Sequence, residues 1–381
     1  MHLQRFALIC LTLLTVLCAL PLNASATSGL PNVATFGYGA RVDIWGQDVI
    51  SSIALASDLG LDWLAIDVDW NRHWPSLQNT ANFSPLDVAL QAARYEQISV
   101  LLTLINPPPW ALTPTGPDVA ITLAVLQAIV NPYTDVIQAV ELFPGANSAA
   151  QWGAAANPSA YLGLLQSVRQ GFDANGYNIY LVTSVEPLQE PSTQGNLDDL
   201  TFLENLYTLG GAAYMPIVGL RFPTVIGAPM ADPDKTNHFA LRHYENIRQV
   251  MLSHQHETGL IWITGFSWPT SGLADPAEPL SLPATPALQA QWTNEALQLL
   301  RAQLYIGAGF FSNLNPNAAN PNLPALLNIG GGIHPACVPI SQYAGGIITS
   351  TSWTPPLAGL TPTAAQAAAP KYIHYPEKPR K

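Results

Sequence analysis

The sequence predicts an α/β protein built as a single (β/α)8 TIM barrel, and two observations carry the prediction. Eight short β-rich runs recur along the chain: Ala34–Tyr38, Trp63–Asp69, Ser99–Ile105, Val136–Leu142, Ile179–Thr183, Ile217–Leu220, Leu260–Thr264 and Gln303–Phe311. Between them lie apolar residues at helical spacing, such as Val88, Ala89, Ala92 and Ala93; Tyr161, Leu164, Leu165 and Val168; and Ala296, Leu297 and Leu300. Strand alternating with helix implies a parallel sheet made of crossover units. Eight units of roughly 30 to 43 residues match the count and size of a closed barrel. The alternative is an open doubly wound sheet, which carries a glycine-rich phosphate turn after its first strand. Phe36-Gly37-Tyr38-Gly39 has the glycines without the rest of that fingerprint. The closed barrel fits better.

Ahead of the first run, Met1 to Arg5 carries one positive side chain, Phe6 to Leu22 is almost wholly apolar, and Ala24-Ser25-Ala26 offers small residues for cleavage. Residues 1–26 are therefore expected to be a secretory signal peptide, and the protein to be secreted. The alternative is one membrane anchor, since the apolar run is near the lower limit for spanning a bilayer. Cleavage would remove Cys10 and Cys18 and leave Cys337 alone. No internal disulfide could then form, even in an oxidising compartment. Stability has to come from a core, which a mature chain of about 350 residues can supply.

The barrel is expected over residues 33–345. From 346 to 381 the chain is rich in Pro, Ala, Gly and Thr and ends "KYIHYPEKPRK", the composition of a flexible tail. Charged residues make up 10% of the chain, with only four lysines and a net charge of −11. That balance argues against nucleic acid, which needs a basic footprint, and against an anionic membrane surface once the signal is removed.

A barrel of this kind keeps its site at the carboxyl ends of the strands. There the sequence places Asp67, Asp69, Trp70, Arg72, His73 and Trp74 after the second run, and Asn106 and Trp110 after the third. Glu141 and Asn147 follow at the fourth, with Trp152 in a nearby loop. Glu186 and Glu190 follow the fifth, Arg221 the sixth, and Thr264, Gly265, Ser267 and Trp268 belong to the seventh. Aromatic rings among scattered Asn, Asp and Arg suit a sugar-binding cleft, because apolar sugar faces stack and hydroxyls hydrogen-bond. Capping of the barrel by the same tryptophans is the alternative. On the first reading Trp70, Trp110, Asn147, Trp152, Arg221 and Trp268 are candidate substrate-binding residues.

The stretches "LDWLAIDVDW", "LLTLINPPPWA", "AVELFPGAN", "DDLTFLENLYTLGG", "IVGLRFP" and "IWITGFSW" occur in the order seen in clan A glycoside hydrolases. The chain resembles the family-thirty-nine-like and cellulase-like bacterial extracellular members over roughly residues 36–342. In those relatives the fourth strand usually reads E-I-W-N-E-P-N. Here Glu141 to Asn147 fill the seven positions, and the acid/base glutamate falls on Gly145. The seventh strand usually reads W-I-T-E-F-G-W. Here Trp262 to Trp268 fill it, and the nucleophile falls on Gly265. Arg221 stands near the place of a histidine.

The resemblance thus implies a glycosidase-like barrel without its catalytic pair. Retaining hydrolysis needs two carboxyls about 5–5.5 Å apart, and glycine supplies neither. The expectation is a non-catalytic barrel that binds an oligo- or polysaccharide. The alternatives are an active hydrolase using displaced carboxylates, for which Glu186, Asp69 and Glu141 are the candidates, and a structural or protein-binding barrel whose cleft its own parts fill. No cofactor and no metal is expected. His254-x-His256 with Glu257 precedes the seventh strand, at the opposite end from the site, and reads as a solvated helix end. Cys337 reads as a packing residue.

Overall fold

The structure is a computed structural model, and it describes residues 36–46, 48–189, 195–236, 238–269, 284–316, 324–328 and 331–355. Residues 1–26, the expected signal, lie outside these, as do Glu190 and the chain from 356 onward.

Eight parallel strands close into one barrel: β1 Gly37–Val42, β2 Trp63–Asp69, β3 Ser99–Ile105, β4 Ile137–Leu142, β5 Tyr180–Val185, β6 Ile217–Arg221, β7 Leu260–Phe266 and β8 Ile306–Phe311. β1 pairs with β8 to complete the ring. Each strand is followed by a helix: α1 Val49–Asp58, α2 Ser84–Glu96, α3 Val119–Val130, α4 Pro158–Ala174, α5 Asp199–Thr208, α6 Tyr244–Ser253, α7 Pro286–Arg301 and α8 Cys337–Ala344.

Local chemistry starts several helices where the sequence marks them. Asn157 caps α4 through Ala160 N, with Pro158 at the first helical position, and Thr285 caps α7 ahead of Pro286. The expected helical faces are buried at Tyr161, Leu164, Leu165 and Val168 on α4 and at Ala89, Ala92 and Ala93 on α2, while Val88 is half-buried. Cys337 is buried, and burial pushes its thiol up to about 12, so it packs rather than reacts.

The first strand differs from the expected Ala34–Tyr38 and runs on to Val42. Tertiary packing explains Gly37 and Gly39. They face the floor of the barrel, where Trp63, Trp262 and Phe310 meet. A Cβ at Gly37 would stand 3.0 Å from the Trp63 ring, and one at Gly39 would overlap Phe310. Glycine makes room for large rings here.

The longer β1 also carries Arg41 into the lumen. At the chain's far end, residues 346–355 do not behave as the expected free tail. Ile347 N donates to Asp58 O, Ile348 is buried, and the Trp353 indole donates to Asp58 Oδ2 at 2.9 Å, so this stretch is held against the end of α1.

The floor can be tested directly. Gly39→Ala should lower the urea midpoint by the equivalent of about 1–3 kcal/mol through overpacking. Adding Phe310→Leu, which removes the opposing ring, should restore part of the loss. An unaltered midpoint in the single variant would contradict this packing.

Candidate functional site: a charged lumen at the barrel mouth

β7 holds one more residue than its neighbours at Thr264–Gly265. Against β6, Leu220 pairs with Ile263 and Arg221 with Gly265. Against β8, Gly309 pairs with Ile263 and Phe311 with Phe266. A bulge of this kind re-aims backbone groups. Here the Thr264 carbonyl accepts from Arg41 Nη1 at 2.7 Å across the lumen.

Arg41 is the hub of the interior. Its guanidinium also donates to Thr103 Oγ1 at 3.1 Å, pairs with Asp67 through a short contact, and lies 3.6 Å from Glu141. One side chain on β1 therefore reaches β2, β3, β4 and β7. Burial, with the Arg221 charge second, presses Arg41 down to about 9, so it stays charged at neutral pH. Glu141 is wholly buried. It accepts from Thr103 Oγ1 at 2.6 Å and from Ser184 Oγ, which satisfies the carboxylate inside the barrel.

Above this layer sits a second set of charges. Arg221 Nη2 donates to Asp67 Oδ2 at 2.8 Å, and its Nε lies 3.6 Å from Glu186 Oε1. Gln151, on a short helical turn after β4, donates to Glu186 Oε2 at 2.7 Å. Burial raises the Glu186 carboxyl above its usual range, and Arg221 and Gln151 draw it back in part. Three carboxylates (Asp67, Glu141, Glu186) face two guanidiniums, so one negative charge is in surplus. The nearby Glu141 charge adds to burial in favouring the neutral form of Glu186.

These contacts decide what stands above the two glycines. Gly145 lies just beyond β4, in a turn where Phe143 holds a left-handed backbone (φ 45°) that a bulky side chain rarely adopts. A Cβ on Gly145 would overlap the Gln151 amide. A Cβ on Gly265 would touch Arg221 Cγ at 3.4 Å and Arg41 Cδ at 3.6 Å. The series Gly145, Gln151, Glu186, Arg221, Gly265 is continuous. The space between the two glycines is bridged by protein side chains.

Four of the sequence-predicted binding residues need correction. Trp70, Trp152 and Trp268 are fully buried. The Trp152 and Trp268 indoles donate to Thr115 O and Gly227 O at 2.8 Å, so these rings pin loops onto the barrel and offer no face to a sugar. Asn147 is buried too. It accepts from Glu186 N and donates to the carbonyls of Glu186 and Leu197, bracing the loops after β4 and β5.

Trp110 is half-buried against Trp74, with ring centroids 4.6 Å apart, and Arg221 retains some exposure at the mouth. Trp45 adds a third half-buried ring, with Arg72 over it at 4.2 Å. Asp69 accepts from Arg72 N and Asn106 Nδ2, apart from the Glu186 pair. Arg41, Gln151 and Trp45 were missed from sequence. The alternation of Gly37, Gly39 and Arg41 along one strand face was the available signal for Arg41.

No family model matches this sequence, and no curated protein is similar to it. Solved structures do share its fold. A family 39 glycoside hydrolase from the gut symbiont Bacteroides cellulosilyticus WH2 superposes with a TM-score of 0.59 at 15% identity, over 83% of this chain and 65% of that one. A glucosidase from Croceicoccus marinus gives 0.59 at 12% identity, over 82% and 68%. A GH30 endoxylanase from Clostridium papyrosolvens C71 gives 0.53 at 15%, over 83% and 73%. This chain spans 65% of the length of the family 39 enzyme. The resemblance to clan A glycoside hydrolases therefore holds as a shared closed eight-stranded parallel barrel.

Two outcomes test the lumen. Arg41→Met leaves Glu141 buried without its guanidinium and should cost about 3–5 kcal/mol, much of it recovered by adding Glu141→Gln. Glu186 has a distinct pH signature. Its folded-state pKa lies above the usual 4.5, so its contribution is fully present below that value and is lost as pH rises through the folded pKa. The stability of wild type relative to Glu186→Gln should be constant in acid and fall with rising pH. A flat difference from about pH 4 to about pH 8 would show that Glu186 ionises normally.

Proposed function

We propose that this protein is a secreted, non-catalytic glycoside-hydrolase-like barrel that recognises an oligo- or polysaccharide at its rim. One observation carries the reading: Gln151, Glu186 and Arg221 run as a bonded series between Gly145 and Gly265, where the resemblance places an acid/base and a nucleophile. A positioned general acid is worth about 10²–10⁴-fold, and the covalent route needs a second carboxyl. Here neither position carries a carboxyl, and the Gln151 amide stands where a side chain at Gly145 would go.

Recognition then falls to the aromatic rim. Trp45, Trp74 and Trp110 are half-buried, on the loops after β1, β2 and β3. The Trp74 and Trp110 indole N–H groups are already bonded to Asn79 O and Trp74 O, which fixes the rings as platforms. Fixed rings stack on sugars at little entropic cost.

Trp110→Ala should weaken binding of a polysaccharide ligand by about 0.5–1.5 kcal/mol while the barrel stays folded. Trp268→Ala, at a buried ring, should instead destabilise the fold by about 3–5 kcal/mol. Affinity gels made with plant, fungal and bacterial polysaccharides would measure the first, and retardation by none of them would sink the binding proposal.

A second reading has one observation in its favour. The raised pKa of Glu186 is what a general acid requires. It is tested by turnover of aryl β-glycosides. The expected result is no hydrolysis above background in wild type. Hydrolysis that disappears in Glu186→Gln or Asp69→Asn would establish an enzyme with relocated carboxylates. Rebuilding the pair should need Gly145→Glu and Gly265→Glu together with Gln151→Gly, because the glutamine side chain stands where the first new glutamate must go.

A further inference from the structure

On the same face of the barrel, outside the lumen, two imidazoles converge on one carboxylate. Asp199 opens α5, in the connection after β5, and His238 and His243 lie in the connection between β6 and α6. His243 Nε2 is 2.5 Å from Asp199 Oδ2, and His238 Nδ1 is 3.1 Å from Asp199 Oδ1. Asp198 Oδ1 stands 3.6 Å from the same His238 nitrogen. The two rings are stacked nearly parallel, with centroids 4.3 Å apart at 8°. Asp199 and His243 have almost no exposure, and His238 is a quarter exposed. His238 holds a left-handed backbone (φ 69°), which a non-glycine residue adopts only when its surroundings impose it.

We propose that Asp199, His238 and His243, with Asp198 or a water as fourth ligand, form a structural zinc site that ties the β5–α5 connection to the β6–α6 connection. One donor atom from each of the three residues lies within 4.8 Å of the others. Zinc binds imidazole nitrogen and carboxylate oxygen at about 2.0–2.2 Å, which sets ligand atoms about 3.3 Å apart in a tetrahedron. The observed separations bracket that value, but the two rings are stacked nearly parallel, so the partly exposed His238 ring must swing out of the stack for both lone pairs to meet one ion.

Charge favours a divalent ion. Two carboxylates with two neutral imidazoles balance zinc, and a buried site needs that balance. Two imidazole donors select zinc over magnesium or calcium, which prefer oxygen. In the zinc form each ring turns its lone pair to the ion and carries its proton on the other nitrogen. The competing reading is a metal-free clasp in which both rings simply donate to Asp199.

Zinc chloride titrated into chelator-treated full-length protein in a calorimeter separates the two readings. One zinc per chain is expected, with a raised melting temperature, and magnesium should give neither. His238→Ala, at the most exposed of the three positions, should weaken zinc binding at least about tenfold while its circular dichroism stays that of wild type. A double His254→Ala/His256→Ala variant should bind as wild type does, because those rings partner Glu204 and Tyr207 elsewhere. Zinc-edge X-ray absorption on wild type should report two imidazole nitrogens, which decides the matter even if His238→Ala misfolds. Absence of zinc binding in wild type, unchanged affinity in folded His238→Ala, or loss of binding in the His254/His256 variant would overturn the proposal.

Discussion

A carboxylate at the axis of a barrel has to be neutralised where it stands, and Glu141 makes that demand of the whole lumen. Two hydroxyls, from Thr103 and Ser184, bond its oxygens, but its charge needs a cation. Arg41 supplies it, and to do so β1 must run on to Val42 with its side chains in register. The bulge in β7 gives Arg41 a further acceptor, the Thr264 carbonyl. Asp67 then binds Arg41 from above and Arg221 beside it, and Arg221 reaches Glu186. Each partner calls for the next because no charge can be left unpaired in a low-dielectric interior.

This network runs between Gly145 and Gly265, the two positions that the resemblance matches to a glycosidase's carboxyls. Here the acids are engaged, and the Gln151 amide stands where a side chain at Gly145 would go. Gly145 and Gly265 are thus coupled to their surroundings. Gly265 accommodates the stems of Arg221 and Arg41 in ordinary contact, whereas a side chain at Gly145 would displace Gln151. The shared fold with glycoside hydrolases is compatible with this, since fold and site are separate properties of a barrel.

The barrel was legible in the sequence because strands buried on both faces read as short continuous apolar runs between helical patterns. β2 and β3 run Trp63–Asp69 and Ser99–Ile105, as read from the residues alone. β1 was misplaced because its glycines answer to Trp63 and Phe310, residues distant in the chain that local pattern cannot see. The tryptophans misled for a related reason. A ring at a strand end can face a cleft or a loop, and only the fold shows that Trp70, Trp152 and Trp268 turn inward. Gly145 and Gly265 lie at strand ends, as the sequence reading places them, but what stands beside them was not legible. Gln151 sits in a turn without distinguishing pattern, and Arg41 belongs to a strand read as ending before it. Asp199, His238 and His243 escape sequence reading because 39 and 44 residues separate the carboxylate from its imidazoles.

The central claim is that protein side chains, and not a sugar, own the space between Gly145 and Gly265. A crystal structure of the protein soaked in a short β-linked oligosaccharide tests this most directly. Density should show the Gln151–Glu186 and Arg221–Asp67 hydrogen bonds intact, with any sugar confined to the rim around Trp74 and Trp110. A sugar ring seated between the two glycines, with Arg221 turned away from Asp67, would contradict the account.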